Sequence, residues 1–224
     1  GDFYEMFYED AQTASAELDL TLTGRDCGEE DRAPMCGVPY HSCEPYIGKL
    51  IEKGYKVAIC EQMEDPKLAK NLVKREVTRI ITPGTLIETD LLNERANNYL
   101  ATIYFDGSSI GMCFSDISTA FMTATAFRDR YSEEDVINEL STYSPREIIL
   151  SCAAKSLPKV AEHVKKRMKV LLTEAATDYF DPDEAIERAE KQFSTDSTAG
   201  RPRSAVIAVG AALKYIAETQ KTDI

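Results

Sequence analysis

Hydrophobic and polar positions change their period several times along the first third of the chain. The aromatic-rich opening, Asp2–Phe7, alternates with period two like a strand, and Ala11, Ala14 and Leu18 then recur at helical spacing. This pattern predicts a strand followed by a helix that runs to about residue 18. Similar patterning, with glycine and proline signals, predicts the remaining elements: a strand at 20–23, a loop at 24–32, a tight turn at 34–39, a helix at 44–53, and strands at 55–60 and 77–82. Strands and helices therefore mix within residues 1–87, which favours a small α+β domain on a mixed sheet.

A polar segment at 88–98, typical of a linker, precedes a region of different pattern. Asp106-Gly107 stands between two apolar runs and predicts a β-hairpin. The pattern then predicts the following elements: a third strand after Asp116, helices at 133–143, 157–168 and 182–193, and strands at 146–150 and 170–173. This order indicates a second domain at 99–200, with a mixed sheet covered by helices of ribonuclease-H-like type. The fold class predicted for the whole chain is α/β, in the α+β sense.

The last predicted element is one long helix at 205–220. An apolar stripe runs along it through Val206, Val209, Leu213 and Ile216, which predicts one buried face.

Charge restricts the possible partners. The 224 residues hold 26 basic and 38 acidic side chains, a net charge of −12, which disfavours strong autonomous binding to a polyanion. One local exception lies between Lys67 and Arg79, where five basic residues stand against the single acid Glu76. Contacts with phosphates are therefore expected to be local and sensitive to salt.

No apolar stretch approaches the ~20 residues needed to cross a bilayer, and no basic segment followed by an apolar one opens the chain. These features predict a cytoplasmic protein. The six cysteines form no CxxC pair, so we interpret them as reduced thiols.

Two metal sites are conceivable from ligand type. Cys27, Cys36, His41 and Cys43 offer sulfur and imidazole, but their spacing matches no usual zinc knuckle. Asp106 and Asp116 could contribute to a Mg²⁺ site for nuclease chemistry on a ribonuclease-H-like sheet. An Asp-Gly turn explains Asp106 more simply, so no metal is predicted.

Sequence motifs of catalysis are missing from the chain. It contains no GxxxxGK[ST] phosphate loop, no GxSxG elbow and no HExxH helix. We therefore predict no enzymatic activity and no cofactor for these 224 residues.

The opening strand is the most informative segment. Alternation places Phe3, Glu5 and Phe7 on one face, and a core strand rarely sets a carboxylate between two phenylalanines. An edge strand whose glutamate simply reaches water would give the same pattern, so the residues alone leave both interpretations open.

A resemblance to a known family favours one of these two interpretations of the opening strand. The segments Gly1–Phe7, Leu20–Thr23, Pro34–His41, Val57–Gln62 and Thr82–Thr85 carry the strings GDFYEMF, LTLT, PMCGVPYH, VAICEQ and TPGT. In order and spacing these resemble the mismatch-recognition domain of the bacterial MutS family. Weaker similarity at Glu94-Arg95, Asp116–Ser118 and Ala217–Gln220 resembles the connector domain of that family and the start of its core. The resemblance thus implies that residues 201–224 are the start of the core, in its lever helix.

The resemblance implies that residues 1–87 recognise mispaired or unpaired bases in double-stranded DNA. It implies that Phe3 enters the minor groove and stacks on the mispaired base, and that Glu5 hydrogen-bonds that base. Further possible DNA contacts are assigned to a set of apolar and basic residues: Met35, Lys67, Lys70, Lys74, Arg75 and Arg79.

The resemblance also implies that the chain is a fragment. Full-length family members carry an ATPase domain, which uses ATP and Mg²⁺, and they form homodimers. The connector domain would relay recognition to the ATPase domain and dock MutL, and the protein would associate with the nucleoid. Two alternatives stay open from the sequence: a metal-dependent nuclease at 99–200, and a protein-interaction module with no DNA role.

Overall fold

The structure is a computed structural model that describes residues 3–28, 32–64, 73–87, 97–128, 132–151 and 156–221. These residues form two units, Gly1–Val57 and Ala58–Ile224. The predicted linker at 88–98 falls almost wholly outside the described residues, and the predicted domain boundaries stay predictions. Among the described helices, none combines the length and the apolar content that crossing a lipid bilayer would require.

The first unit is a three-stranded sheet with helices packed on one face. Its strand order is β1-β3-β2, and both strand pairs are antiparallel. Its elements are β1 (Phe3–Phe7), α1 (Tyr8–Leu18), β2 (Thr23–Arg25), β3 (Ala33–Pro39) and α2 (Glu44–Glu52). The fold class is as predicted, but this sheet is antiparallel where a mixed one was expected, because β1 and β2 both pair with β3 in the opposite direction.

The core of this unit lies between the sheet and the helices. Ala11, Ala14 and Leu18 of α1 pack with Cys36 of β3 and Leu50 of α2. Helix α1 therefore buries the stripe predicted from its spacing. The predicted strand β1 and the helix ending before Gly54 are also confirmed.

The tight turn predicted at 34–39 is wrong, because these residues form strand β3. Two prolines within seven residues suggested a turn, since proline cannot donate to a strand ladder. In β3, however, Pro34 is paired only with β2 and Pro39 only with β1. Each proline thus has a strand partner on one side only, and a central strand tolerates both.

The strand predicted at 20–23 is displaced along the chain. Asp19 ends α1 in the left-handed conformation, with φ of 55°, and Leu20 then packs against the core. The strand begins only at Thr23 and takes in two residues of the predicted loop.

The second unit is built on a five-stranded sheet. Strands β4 and β5, which precede that sheet in the sequence, form a separate two-stranded sheet. The strands of the second unit are β4 (Val57–Gln62, starting at the last residue of the first unit), β5 (Arg75–Ile81), β6 (Leu100–Phe105), β7 (Ile110–Asp116), β8 (Phe121–Phe127), β9 (Glu147–Leu150) and β10 (Leu171–Glu174). Its helices are α3 (Ser132–Tyr143), α4 (Pro158–Arg167), α5 (Pro182–Phe193), α6 (Thr195–Thr198) and α7 (Arg203–Gln220).

The larger sheet is mixed, as predicted. Its order is β10-β9-β6-β7-β8, with β6, β7 and β8 antiparallel and with β9 and β10 parallel to β6. The predicted hairpin joins β6 to β7 at Asp106-Gly107. Asp106 Oδ1 accepts hydrogen bonds from the backbone N–H groups of Ser108 and Ser109, and Gly107 has a φ of +95°.

Helix α7 is buried far beyond the predicted stripe. Residues on nearly every side of it are covered, because it packs against the sheet and against α5. Thr102 of β6 donates a hydrogen bond to the carbonyl of Ala208, and Arg188 of α5 donates to the carbonyl of Gly210. The predicted burial of the stripe is confirmed for Val206, Leu213 and Ile216, and small residues such as Ala208 and Gly210 extend the close packing to other faces.

A buried carboxylate joins four parts of this unit. Glu147 of β9 is fully buried, and its Oε2 accepts hydrogen bonds from Thr82 Oγ1 at 2.5 Å and the Gly84 N–H at 3.2 Å. Its Oε1 accepts from Tyr215 OH at 2.6 Å and Thr173 Oγ1 at 3.1 Å. A buried charge is tolerated only with such partners. The TPGT string therefore has a structural role as a turn held by Glu147.

Candidate nucleic-acid interface

The face of the first sheet that lies opposite α1 gathers the predicted recognition residues. Directly paired residues of neighbouring strands share a face. Phe3, Glu5 and Phe7 pair with Pro39, Gly37 and Met35, and the same face of β2 carries Thr23 and Arg25. Met6 and Cys36 lie on the other face, in the helix-packed core. We call the first of these the open face.

Phe3 and Glu5 stand side by side on the open face. Phe3 is 58% exposed, although its ring is large and apolar, and Glu5 is also exposed. The exposure of Glu5 is not informative by itself, because a carboxylate on an edge strand such as β1 ordinarily reaches water. Phe3 is more informative, because an exposed aromatic ring loses the hydrophobic stabilisation that burial would give it.

Arg25 completes this cluster, and the sequence analysis missed it. Its Nη1 lies 2.8 Å from Glu5 Oε2, and its Cζ lies 5.7 Å from the centre of the Phe7 ring. Gly37 pairs with Glu5 on β3 and adds no side chain to the face. The pattern predicts a loop at Arg25, whereas in the structure Arg25 follows Thr23 on the same face of strand β2.

The remaining predicted contacts are divided between the two units. Met35 is half-buried on the open face, but it lies on strand β3 and not on a turn. Lys67 and Lys70 lie outside the described residues. In the second unit, Lys74 Nζ lies 2.5 Å from Glu76 Oε1, Arg75 is exposed on β5, and Arg79 is half-buried on the same strand.

The candidate metal ligands are engaged in other interactions. Cys36 is buried, and its thiol donates to the carbonyl of Ala11. Burial raises the pKa of this thiol, which disfavours the thiolate that binds zinc. Asp106 holds the hairpin turn, and Asp116 accepts hydrogen bonds from the N–H groups of Ser118 and Asn98. Within the described residues, no group of three or more potential ligands is placed to hold a metal.

Comparison with known families places both parts of the chain. The family model described as MutS domain I matches residues 1–90, and the one described as MutS domain II matches residues 98–224.

Curated relatives match over the whole chain. DNA mismatch repair protein MutS of Clostridium tetani is 45% identical over 225 residues, covering 100% of this chain and 25% of the relative. The protein of the same name from Lachnoclostridium phytofermentans is 44% identical over 228 residues, covering 100% of this chain and 24% of the relative. That of Caldicellulosiruptor bescii is 46% identical over 221 residues, covering 99% and 24%. The chain thus spans about a quarter of the length of the curated relatives it matches.

Proposed function

The chain belongs to the MutS family, and from this premise we propose that it recognises mispaired or unpaired bases in double-stranded DNA during mismatch repair. The recognition surface is the open face of the first sheet. Phe3 is the wedge that enters the minor groove, and Glu5 is the group that hydrogen-bonds the mispaired base.

One arrangement carries the proposal. An exposed aromatic ring and an exposed carboxylate lie two positions apart on the same face of an antiparallel sheet. Such a face presents a flat apolar ring and a hydrogen-bonding carboxylate to the same ligand. A base pair offers a complementary combination, with a π-face for stacking and polar edges for hydrogen bonds.

The energetics favour a mispair over a normal pair. Stacking of a base on an aromatic side chain contributes roughly 1–3 kcal/mol. Bending the duplex around an inserted wedge costs on the order of 1–6 kcal/mol. A mispair lowers that cost, because its stacking and pairing are already weak. Phe3 therefore reads the ease of deformation and not the base sequence.

Glu5 supplies discrimination. Phosphates repel its carboxylate, so it opposes binding to any duplex in which it gains no hydrogen bond. In the structure, Glu5 Oε2 lies 2.8 Å from Arg25 Nη1, so the carboxylate has a charged partner beside the wedge. On a mispair the base takes over as partner, and Arg25 is released toward the phosphates.

Family membership supports further roles for the rest of the chain. We assign phosphate contacts that hold register to Lys67, Lys70, Lys74, Arg75 and Arg79, and support of the wedge to Met35. The second unit would relay recognition to an ATPase domain and dock MutL, in a protein that is a homodimer at full length. These assignments stay predictions, as does nucleoid association.

Phe3→Ala tests the proposal. We expect loss of the preference for heteroduplex over homoduplex, because alanine has no ring to stack on a base, with little change in unfolding free energy, because Phe3 is 58% exposed. Fluorescence anisotropy at fixed salt measures both affinities. It is applied to this chain and to a chimera in which the chain replaces the matching quarter of the Clostridium tetani relative.

Phe193→Ala is the matched control. It makes the same chemical change at an exposed position, on α5 of the second unit. Preserved discrimination in Phe3→Ala, or a large fall in its melting temperature, would contradict the proposal. The first result would show that Phe3 does not act as the wedge. The second would show that Phe3 stabilises the fold.

A further inference from the structure

A groove in the second unit is lined by residues to which no role has been assigned above. It encloses about 550 Å³ where the end of α3, the start of β9 and the end of α4 meet the residues before β6. Its polar rim holds the cationic side chains of Arg146, Arg167 and Lys169. We call it the Arg146 groove.

The charge of this groove is opposite to that of the chain. The chain carries a net charge of −12, yet none of the residues lining the groove is acidic. Some other cations of this unit are held by carboxylates. Lys159 pairs with Glu134, and Lys214 pairs with Asp178.

The three groove cations have no such partners. All three are exposed, and none forms an ion pair or a side-chain hydrogen bond within the part of the chain that the structure describes.

Helix dipoles do not neutralise this charge. Helices α3 and α4 end beside the groove, at Tyr143 and Arg167, and each helix C-terminus carries about −0.5 of a charge. Two termini therefore offset about one of three positive charges. The carbonyls there are also engaged: that of Leu140 accepts from the Ser144 N–H, and that of Val164 accepts from the Met168 N–H. An excess of roughly two positive charges remains toward solvent.

Three lining side chains, Tyr99, Tyr143 and Met168, add apolar surface to a mostly polar groove, and we call them its floor. Tyr143 stacks on Phe114 at 4.1 Å, and Tyr99 packs edge-on against Tyr143 at 5.2 Å. Met168 packs against the same core. The floor thus combines two aromatic rings and a thioether between cationic rims, and thioethers adapt well to varied apolar side chains.

We propose that the Arg146 groove binds a short acidic peptide segment of a partner protein, with an apolar side chain seated between its carboxylates. Guanidinium groups recognise carboxylates in bidentate geometry, and the floor receives the apolar side chain. Inorganic phosphate would satisfy the rim and leave the floor uncovered. Duplex DNA would bring many phosphates against a strongly acidic chain. This binding does not depend on the function proposed for the open face.

The test uses a fluorescein-labelled six-residue peptide with two apolar residues between two pairs of acidic residues. Its amide counterpart, in which asparagine and glutamine replace the acids, is the uncharged probe. We expect the acidic peptide to bind this chain about tenfold more tightly than the uncharged one, and its affinity to fall with salt.

Variants locate the site. Arg146→Glu combined with Arg167→Glu should weaken binding at least about tenfold, and Met168→Ala should weaken it a few-fold. Lys191→Glu, an exposed cation of α5, is the matched control and should leave binding unchanged. Circular dichroism checks that each variant is folded.

Four outcomes would overturn the proposal. They are the absence of binding of the acidic peptide, equal binding of the uncharged peptide, unchanged binding in the double variant, and displacement of the peptide by inorganic phosphate or by duplex DNA at lower concentration than by unlabelled peptide. None of these would affect discrimination by Phe3, so the two proposals fail separately.

Discussion

Glu5 is held on the open face by a partner that competes with DNA. The Arg25 guanidinium is its neighbour at 2.8 Å, and both side chains are well exposed, so the pair contributes little to folding. Its importance lies in charge placement, because the carboxylate repels phosphates while the guanidinium attracts them.

Glu5→Gln should bind homoduplex more tightly. Neutralising the carboxylate removes a repulsion and leaves the charge of Arg25 unpaired, so we expect a gain of several-fold, on the order of 1 kcal/mol. Discrimination should fall, because homoduplex gains more than heteroduplex. Anisotropy with both duplexes in the chimera measures this. Glu9→Gln, the same charge change in the first turn of α1, is the control, and unchanged discrimination in Glu5→Gln would count against the role of Glu5.

Helix α7 shows how close approach between elements depends on a missing side chain. A Cβ at Gly210 would lie 2.0 Å from the carbonyl oxygen of Ala185 in α5. Real Cβ atoms do not approach backbone so closely, so the two helices would have to separate. The Gly210 carbonyl also accepts from Arg188, which a separation would break.

Gly210→Ala should therefore destabilise the second unit strongly. We expect a loss of about 3 kcal/mol, at the upper end of the range for overpacking, because backbone and not a flexible side chain must move. Urea unfolding followed by far-UV circular dichroism measures it. Gly107→Ala is the control, since its Cβ would meet nothing within 4 Å and only the φ of +95° costs energy, about 1–2 kcal/mol. A loss no larger than in the control would mean that α5 and α7 are less tightly packed than described.

At the scale of the whole second unit, the Glu147 cluster connects the end of β5, strands β9 and β10, and helix α7. Burial, and next the neighbouring Glu147 carboxylate, raise the pKa of Tyr215 far above its ordinary value. Because the pKa in the folded state lies above that in the unfolded state, the stabilisation is complete below about pH 10 and is lost as the pH rises beyond it.

Stability of this unit should therefore fall steeply in alkali. Tyr215→Phe should lose some stability at neutral pH, about 1–2 kcal/mol, because Glu147 loses one donor. Above about pH 10 its stability should decline less steeply than that of the parent chain. Unfolding free energies measured across this range give both slopes. Tyr8→Phe, exposed in the first unit, is the control, and parallel curves for parent and Tyr215→Phe would refute the coupling.

Local patterns determined much of this protein. Helices α1 and α5, the hairpin at Asp106-Gly107 and the mixed order of the larger sheet follow from spacing and turn residues that act over a few positions. Short strings also identified the family, and one of them, TPGT, forms a turn that Glu147 holds by hydrogen bonds. The period-two alternation likewise predicts that Phe3 and Glu5 lie on the same face of a strand.

Only the tertiary structure decided the rest, because it depends on which distant segments meet. Pro34 and Pro39 are tolerated in β3 because each has a strand partner on one side only, and sequence does not show which strands flank β3. The pairing of Arg25 with Glu5 spans 20 residues and the burial of Glu147 beside Tyr215 spans 68. Charge and apolarity along a sequence specify what a side chain can do, and packing specifies which partner it meets.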